Sequence, residues 1–297
     1  MTMDLKAFLE SSECVILDGA MGTELEKHGV SGLCAANILS PGVVETVHNA
    51  YFEAGSNVII TNTLTMNRIF IESHLLGIDV FKVNMAGAQL ARSAAAGKGY
   101  VLGNLSSTGQ LLEPYGTYSE KQVMEAFREQ ATILLEGGVD GFIIETMIDL
   151  REAICALRAC KLASPLPAIV TIAFETETHG GRTIMGNSAA DCAGRLTEEG
   201  ADAIGANCGS IDPLQMAEII RIMRNSTRLP VAAEPNAGKP RLQDGATVFD
   251  MDATTFAEGA MTCVRAGAKI IGGCCGTSPE HIQSLARILG KSDGQKY

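Results

Sequence analysis

The sequence predicts an α/β fold: a single (β/α)8 TIM barrel spanning residues 1–297, with its site at the C-terminal ends of the strands. Three observations carry that expectation. Eight short β-branched or apolar runs alternate with helical patterns, the signature of parallel strands joined by crossover helices. A local echo recurs, in which EAGSNVIITN, LEGGVDGFIIET, EEGADAIGANC and RAGAKIIGGCC each run from a helix end through glycine and a short turn into a buried strand. The segments after the strands, by contrast, are long (18–40, 62–79, 106–118, 175–187 and 235–251), so elaboration is confined to one end.

In chain order the strand runs are 15–17, 58–61, 100–105, 141–145, 168–173, 203–207, 231–234 and 269–273. Gly55, Gly138, Gly200 and Gly267 read as helix C-caps, where the chain needs a left-handed residue before it enters the next strand. Ser40-Pro41, Asp212-Pro213 and Ser278-Pro279 each set an N-cap before proline at the first helical position, and Ser119 with Gln122 forms a capping box. Leu150, Ala153, Ile154, Leu157 and Cys160 fall on one helical stripe, which makes Cys160 a core residue. No linker, low-complexity segment or composition break divides the chain.

Charge and composition narrow the partners. The chain has 34 acidic against 23 basic side chains, a net charge of −11, and no basic run longer than two residues, which excludes nucleic acid and anionic membranes as partners. No apolar stretch reaches the roughly 18 residues of a spanning helix, and MTMDLKAFLESSE lacks the basic and apolar regions of a signal peptide. A cytoplasmic protein is expected. Nine cysteines, an odd number scattered over a long chain, argue for reduced thiols rather than a disulfide framework.

The last residues of the eight strands are Asp18, Asn62, Asn104, Glu145, Glu175, Cys208, Glu234 and the pair Cys274-Cys275. Barrel closure brings Cys208 near the vicinal pair, and three thiols suggest zinc with a fourth position open, the arrangement of catalytic sites. Inert buried cysteines are the alternative, because no CxxC spacing is present. Adjacent strand residues point to opposite faces, so both vicinal thiols reach one ion only if the chain leaves extended geometry, which Gly272, Gly273 and Gly276 permit. Three thiolates make zinc a weak Lewis acid, suited to holding an exogenous thiol as its thiolate rather than to activating water. Asp18 and Glu145 are placed to clamp an ammonium, with Asn62 beside them, and the turn Ala20-Met21-Gly22 offers backbone amides to a carboxylate. Solvated or salt-bridged carboxylates are the alternative for Asp18 and Glu145.

At these residues the sequence resembles the homocysteine S-methyltransferase family, most closely the homocysteine-binding barrel of its cobalamin-dependent methionine synthases. The resemblance runs in order through ILDGAMGTELEKHG, AGSNVIITNT, GVDGFIIET, GADAIGANCG, EPNAGKP and GAKIIGGCCGTSPEHI. It implies Zn2+ on Cys208, Cys274 and Cys275, the homocysteine amino group at Asp18 and Glu145, and its carboxylate at the backbone of Ala20 to Gly22. The implied donor is a methylated corrinoid, either free methylcobalamin or one carried on a separate corrinoid protein, since no corrinoid domain is recognised in the chain; S-methylmethionine is the alternative. Such enzymes commonly carry a Gly-Pro-Thr-Gly turn after strand three, whereas Ser106 and Ser107 occupy its first two places in this chain. With no tryptophan and with Met66 in the donor-side loop, an aromatic cage for a quaternary ammonium is not expected.

Other features have simpler readings. Glu72-Ser73-His74-Leu75-Leu76-Gly77 imitates a corrinoid-carrier loop, but it lies after barrel strand two with no carrier domain around it. His28, His48, His179 and His281 read as solvated or capping residues, and Cys14, Cys34, Cys155, Cys192 and Cys263 as structural. No GxGxxG or Walker spacing supports nucleotide binding. Two rivals to the transferase reading remain: a metal-independent barrel using Glu145 or Glu234 as acid or base, and a non-catalytic zinc thiol-binding subunit of a methyltransferase complex.

Overall fold

The computed structural model describes residues 3–243 and 246–290. Eight parallel strands form one sheet: β1 (Val15–Ile16), β2 (Val58–Ile60), β3 (Tyr100–Leu105), β4 (Gly141–Met147), β5 (Ala168–Ile172), β6 (Ala203–Asn207), β7 (Val231–Glu234) and β10 (Ile270–Ile271). They run in the order β1-β10-β7-β6-β5-β4-β3-β2, each pair parallel, with helices around the outside. The expected barrel is what the chain forms. Several strands are shorter than their apolar runs, because the runs continue into turns that serve the site.

The seam between β1 and β2 is closed largely by side chains rather than by a ladder. Asn57 donates its backbone N–H to Ile16 O at 2.7 Å and accepts the Ile16 N–H on Oδ1 at 3.0 Å. Ser56 Oγ donates to Leu17 O, and Ile60 N–H donates to Asp18 Oδ2 at 2.9 Å. These four bonds do the work a strand pair would otherwise do.

Strand parity divides the core in two. Ile16, Ile59, Val101, Ile144, Val170, Ile204, Ala233 and Ile271 belong to the large cluster packed under the helices. Val15, Leu17, Val58, Leu102, Ile143, Ile169, Ala203, Ala232 and Ile270 form a second cluster, the side chains that alternate to the inner face. The helix Leu5–Ser11, begun by Asp4 accepting the Ala7 N–H at 2.8 Å, adds Leu5, Phe8 and Leu9 to this inner cluster. Further along five of the strands the same inward parity carries Asn104, Glu145, Thr171 and Glu234, each two residues beyond the plug, and Asn207, four beyond Ala203, so an apolar plug is overlaid by a buried polar layer.

The expected caps are present with two corrections. Ser119 and Gln122 form the box, Asp212 forms another with Gln215, and Gly55, Gly138, Gly200 and Gly267 all have positive φ. Ser40 makes no side-chain cap bond, its backbone being too far from the extended geometry a cap requires. His48 is neither solvated nor capping: it is fully buried in the helix Pro41–Glu53, with no hydrogen bond to either ring nitrogen. His281 does cap, pairing its Nδ1 with Ser278 and its Nε2 with Met251 O. After β7 the chain makes a hairpin, β8 (Arg241–Gln243) with β9 (Ala246–Val248), where sequence reading indicated only a long loop. Among the described residues no helix is long and apolar enough to cross a membrane.

Candidate metal and substrate site

The three strand-end thiols converge. Cys208, Cys274 and Cys275 have sulfur atoms all within 4.8 Å of one another, with Cys208 Sγ 3.9 Å from Cys275 Sγ. A tetrahedral zinc with sulfur at about 2.3 Å requires sulfurs about 3.8 Å apart, so the trio fits that ion with three corners filled.

The backbone explains how. Cys208 (φ 54°) and Gly209 (φ 75°) are successive left-handed residues that turn the chain sharply at the end of β6. The eighth barrel strand stops at Ile271, and the chain then leaves extended geometry, with Gly273 N–H donating to Asp18 O and Cys274 N–H to Pro235 O. Gly276 (φ 80°) completes the turn, and a Cβ there would lie 2.3 Å from Phe249 Cβ. Departure from the strand is what lets adjacent cysteines face one point. The three thiols are coupled: hydrogen bonds with Cys208 and Cys274 pull Cys275 down to about 4, while hydrogen bonds with Cys208 and Cys275, and then burial, push Cys274 well up.

The carboxylates stand beside this trio in the polar layer. Glu145, 8% exposed, accepts Asn104 Nδ2 on Oε1 at 2.6 Å and Asn207 Nδ2 on Oε2 at 3.0 Å. Burial raises it to about 7 against the Asn104 bond, which opposes the shift. Asp18 is buried and pushed well up by burial, although the Ile60 bond favours its anion. Glu234 is 1% exposed, with no partner on Oε1, and is held up by burial and then by the fields of Glu145 and Asp18. Among the described residues no lysine, arginine or histidine pairs with any of the three acids. Three buried carboxyl groups and three thiols thus stand together with no cationic side chain paired to the acids, an arrangement that favours a bound positive charge. Their alternative reading as solvated or salt-bridged groups does not hold.

Two predicted contacts need correction. The Ala20 amide is not free, because Thr277 Oγ1 accepts it at 3.0 Å and Tyr51 OH donates to Ala20 O at 2.8 Å. Thr277 Oγ1 also donates to Cys274 O at 2.7 Å, so this residue ties the Ala20 turn to the thiol turn. Met21 and Gly22 open the helix Met21–Lys27, whose cap position, Ala20, has no side-chain acceptor to offer. Asn62 spends both amide protons on Leu33 O and Asn37 Oδ1, which makes it a brace for the 33–37 segment.

Sequence reading passed over Asn207, Asn236, Tyr51 and Thr277. Inward parity along β6, four residues beyond the plug residue Ala203, is the signal that finds Asn207. Asn236, after β7, donates Nδ2 to Gly209 O at 3.0 Å and leaves a buried Oδ1 without a partner. The two serines of the turn after β3 are also engaged: Ser106 Oγ donates to Glu145 O at 2.7 Å, and Ser107 Oγ to the buried Glu152 at 2.8 Å. His74 stacks on Phe70 at 3.9 Å between ring centres, on the surface and apart from the thiols.

Comparison with known proteins agrees with this geometry. The family profile described as homocysteine S-methyltransferase matches residues 15–289. Methionine synthase of Mycobacterium leprae (strain TN) is 31% identical over 299 residues, covering 93% of this chain and 24% of that protein. Methionine synthase of Mycobacterium tuberculosis (strain ATCC 25618 / H37Rv) is 30% identical, covering 94% and 25%. The chain thus spans about a quarter of the length of these curated relatives. Among solved structures, the metallated form of the homocysteine methyltransferase MmuM from Escherichia coli superposes with a TM-score of 0.77 at 23% identity, over 96% of this chain and 99% of that one. Its oxidized form gives 0.79 at 22% identity, over 97% and 100%. These likenesses show the same barrel. From the profile match and the curated relatives together, the chain belongs to the homocysteine S-methyltransferase family.

Proposed function

We propose that this protein methylates the sulfur of homocysteine to give methionine, with zinc held by Cys208, Cys274 and Cys275. The observation that carries the reading is the meeting of three half-buried thiols with the buried carboxyl groups of Asp18 and Glu145, which no cationic side chain compensates. When bound, zinc supplies the positive charge that keeps the substrate sulfur a thiolate at neutral pH, against a free thiol pKa of about 8.5. Glu145, its two oxygens held by Asn104 and Asn207, and Asp18 receive the substrate ammonium. The amides of Met21 and Gly22 take the carboxylate, and the apolar plug below closes the pocket to water. Anchored at both ends, the substrate presents its sulfur to the methyl carbon; the new S–C bond forms as the methyl's bond to its carrier breaks, and both electrons leave with the carrier.

We assign the donor as a methylated corrinoid reaching the site from outside the barrel. Exposed Leu75, Leu111, Tyr115, Ile148, Ile184 and Leu242 all lie on segments that follow barrel strands, an apolar rim suited to a large donor. The test is incubation of zinc-loaded protein and homocysteine with methylcobalamin or, separately, S-methylmethionine. The reading expects corrinoid demethylation matched by equal methionine. Turnover of S-methylmethionine alone overturns the donor assignment, and no methionine from either overturns the activity.

A further inference from the structure

We infer that Asn207 is a positioning residue that ties recognition of the substrate ammonium to the thiol cluster, giving the site its preference for an α-amino thiol over a plain thiol. The inference rests on the proposed function and adds to it a determinant of substrate class. Asn207 is the last residue of β6, fully buried, and adjacent to Cys208. Its Oδ1 accepts the Thr146 N–H and the Thr171 hydroxyl, both at 2.8 Å. A backbone N–H can only donate, so this pair decides which way the amide faces and obliges Nδ2 to point the other way. There it meets Glu145 Oε2 at 3.0 Å, Thr146 Oγ1 at 2.8 Å and Cys274 Sγ at 3.8 Å.

Two consequences follow from that placement. Thr146 has φ 58°, a costly conformation for a β-branched residue, at the point where the β4–β5 register shifts between Ile144 and Met147. Asn207 clasps Thr146 through both its N–H and its hydroxyl, while Ser106 Oγ holds the carbonyl of Glu145. The kink aims the preceding carboxylate, and Asn207 is the side chain that holds both the kink and one carboxylate oxygen. The same amide also reaches Cys274 Sγ at 3.8 Å, a weak contact that sets the carboxylate beside the thiol cluster.

The experiment measures affinity of zinc-loaded protein for homocysteine and for γ-mercaptobutyrate, the same chain without the ammonium, by calorimetry, with zinc content measured alongside. Wild type is expected to prefer homocysteine by about 10-fold or more, the effect of one charged hydrogen bond. Asn207→Ala is expected to lose most of that ratio while its affinity for γ-mercaptobutyrate changes little. Thr171→Val, which removes only one donor to Asn207 Oδ1, is expected to shift the ratio in the same direction by less, and it provides the test should Asn207→Ala fail to fold. Equal weakening of both ligands, or an unchanged ratio in the variants that fold, overturns the inference and leaves the proposed function standing. Failure of wild type to bind homocysteine overturns both.

Discussion

The carboxylate of Asp18 accepts the Ile60 amide at 2.9 Å, so the side chain proposed to receive the substrate ammonium also pins β1 to β2 where the barrel closes. Asp18→Asn keeps an acceptor for that amide but loses the charge, whereas Asp18→Ala leaves a buried N–H without a partner. Urea unfolding is expected to show Asp18→Ala destabilised by about 1–3 kcal/mol and Asp18→Asn by much less. Homocysteine affinity should fall in both.

Glu145 closes no seam, so its replacement separates binding from folding. Glu145→Gln is expected to weaken homocysteine binding by about 10–150-fold, the loss of a charged hydrogen bond, with zinc content unchanged. Calorimetry and elemental analysis on the same preparation check both halves.

The thiol trio predicts about one zinc per chain. Cys208→Ala, Cys274→Ala and Cys275→Ala are each expected to bind the metal far more weakly, whereas Cys160→Ala, which empties a core position on the helix Leu150–Ala163, should lower stability and leave zinc in place. Elemental analysis after dialysis against a chelator distinguishes the two classes.

Burial holds His48 down at about 4 in the folded chain, against its ordinary 6.5. As pH falls through 6.5 the unfolded chain takes up a proton that the folded chain refuses until near 4. Stability is therefore full above the ordinary value and drops across that window, by about 3 kcal/mol for this one group. His48→Leu should flatten the dependence of unfolding free energy on pH between these limits, measured by urea titration.

Gly276 is needed for the turn that lets Cys274 and Cys275 face one ion, since its φ is 80° and a Cβ would meet Phe249. Gly276→Ala is expected to lower zinc affinity and cost about 1–3 kcal/mol of stability, read by metal competition and thermal unfolding.

Much of this was legible in the sequence by itself. Alternating strand and helix runs determine a parallel barrel, because a βα repeat with long segments at only one end has few other ways to bury its apolar faces. Strand-end position alone picked out Asp18, Glu145, Cys208, Cys274 and Cys275, since period-two alternation ends each strand at the same rim of the barrel. What only the tertiary structure decided lies in bonds between segments distant in the chain. Ala20 is engaged by Thr277 across 257 positions, Asn62 faces Leu33 and Asn37 rather than the pocket, and Asn207 serves Glu145 across 62. Such partners are chosen by where the strands stand once the barrel has closed, and no local pattern encodes which of several nearby donors an amide or carboxylate will meet. The fate of His48 was decided the same way: its helix shows which face it presents, but only packing against the barrel removes water from both ring nitrogens.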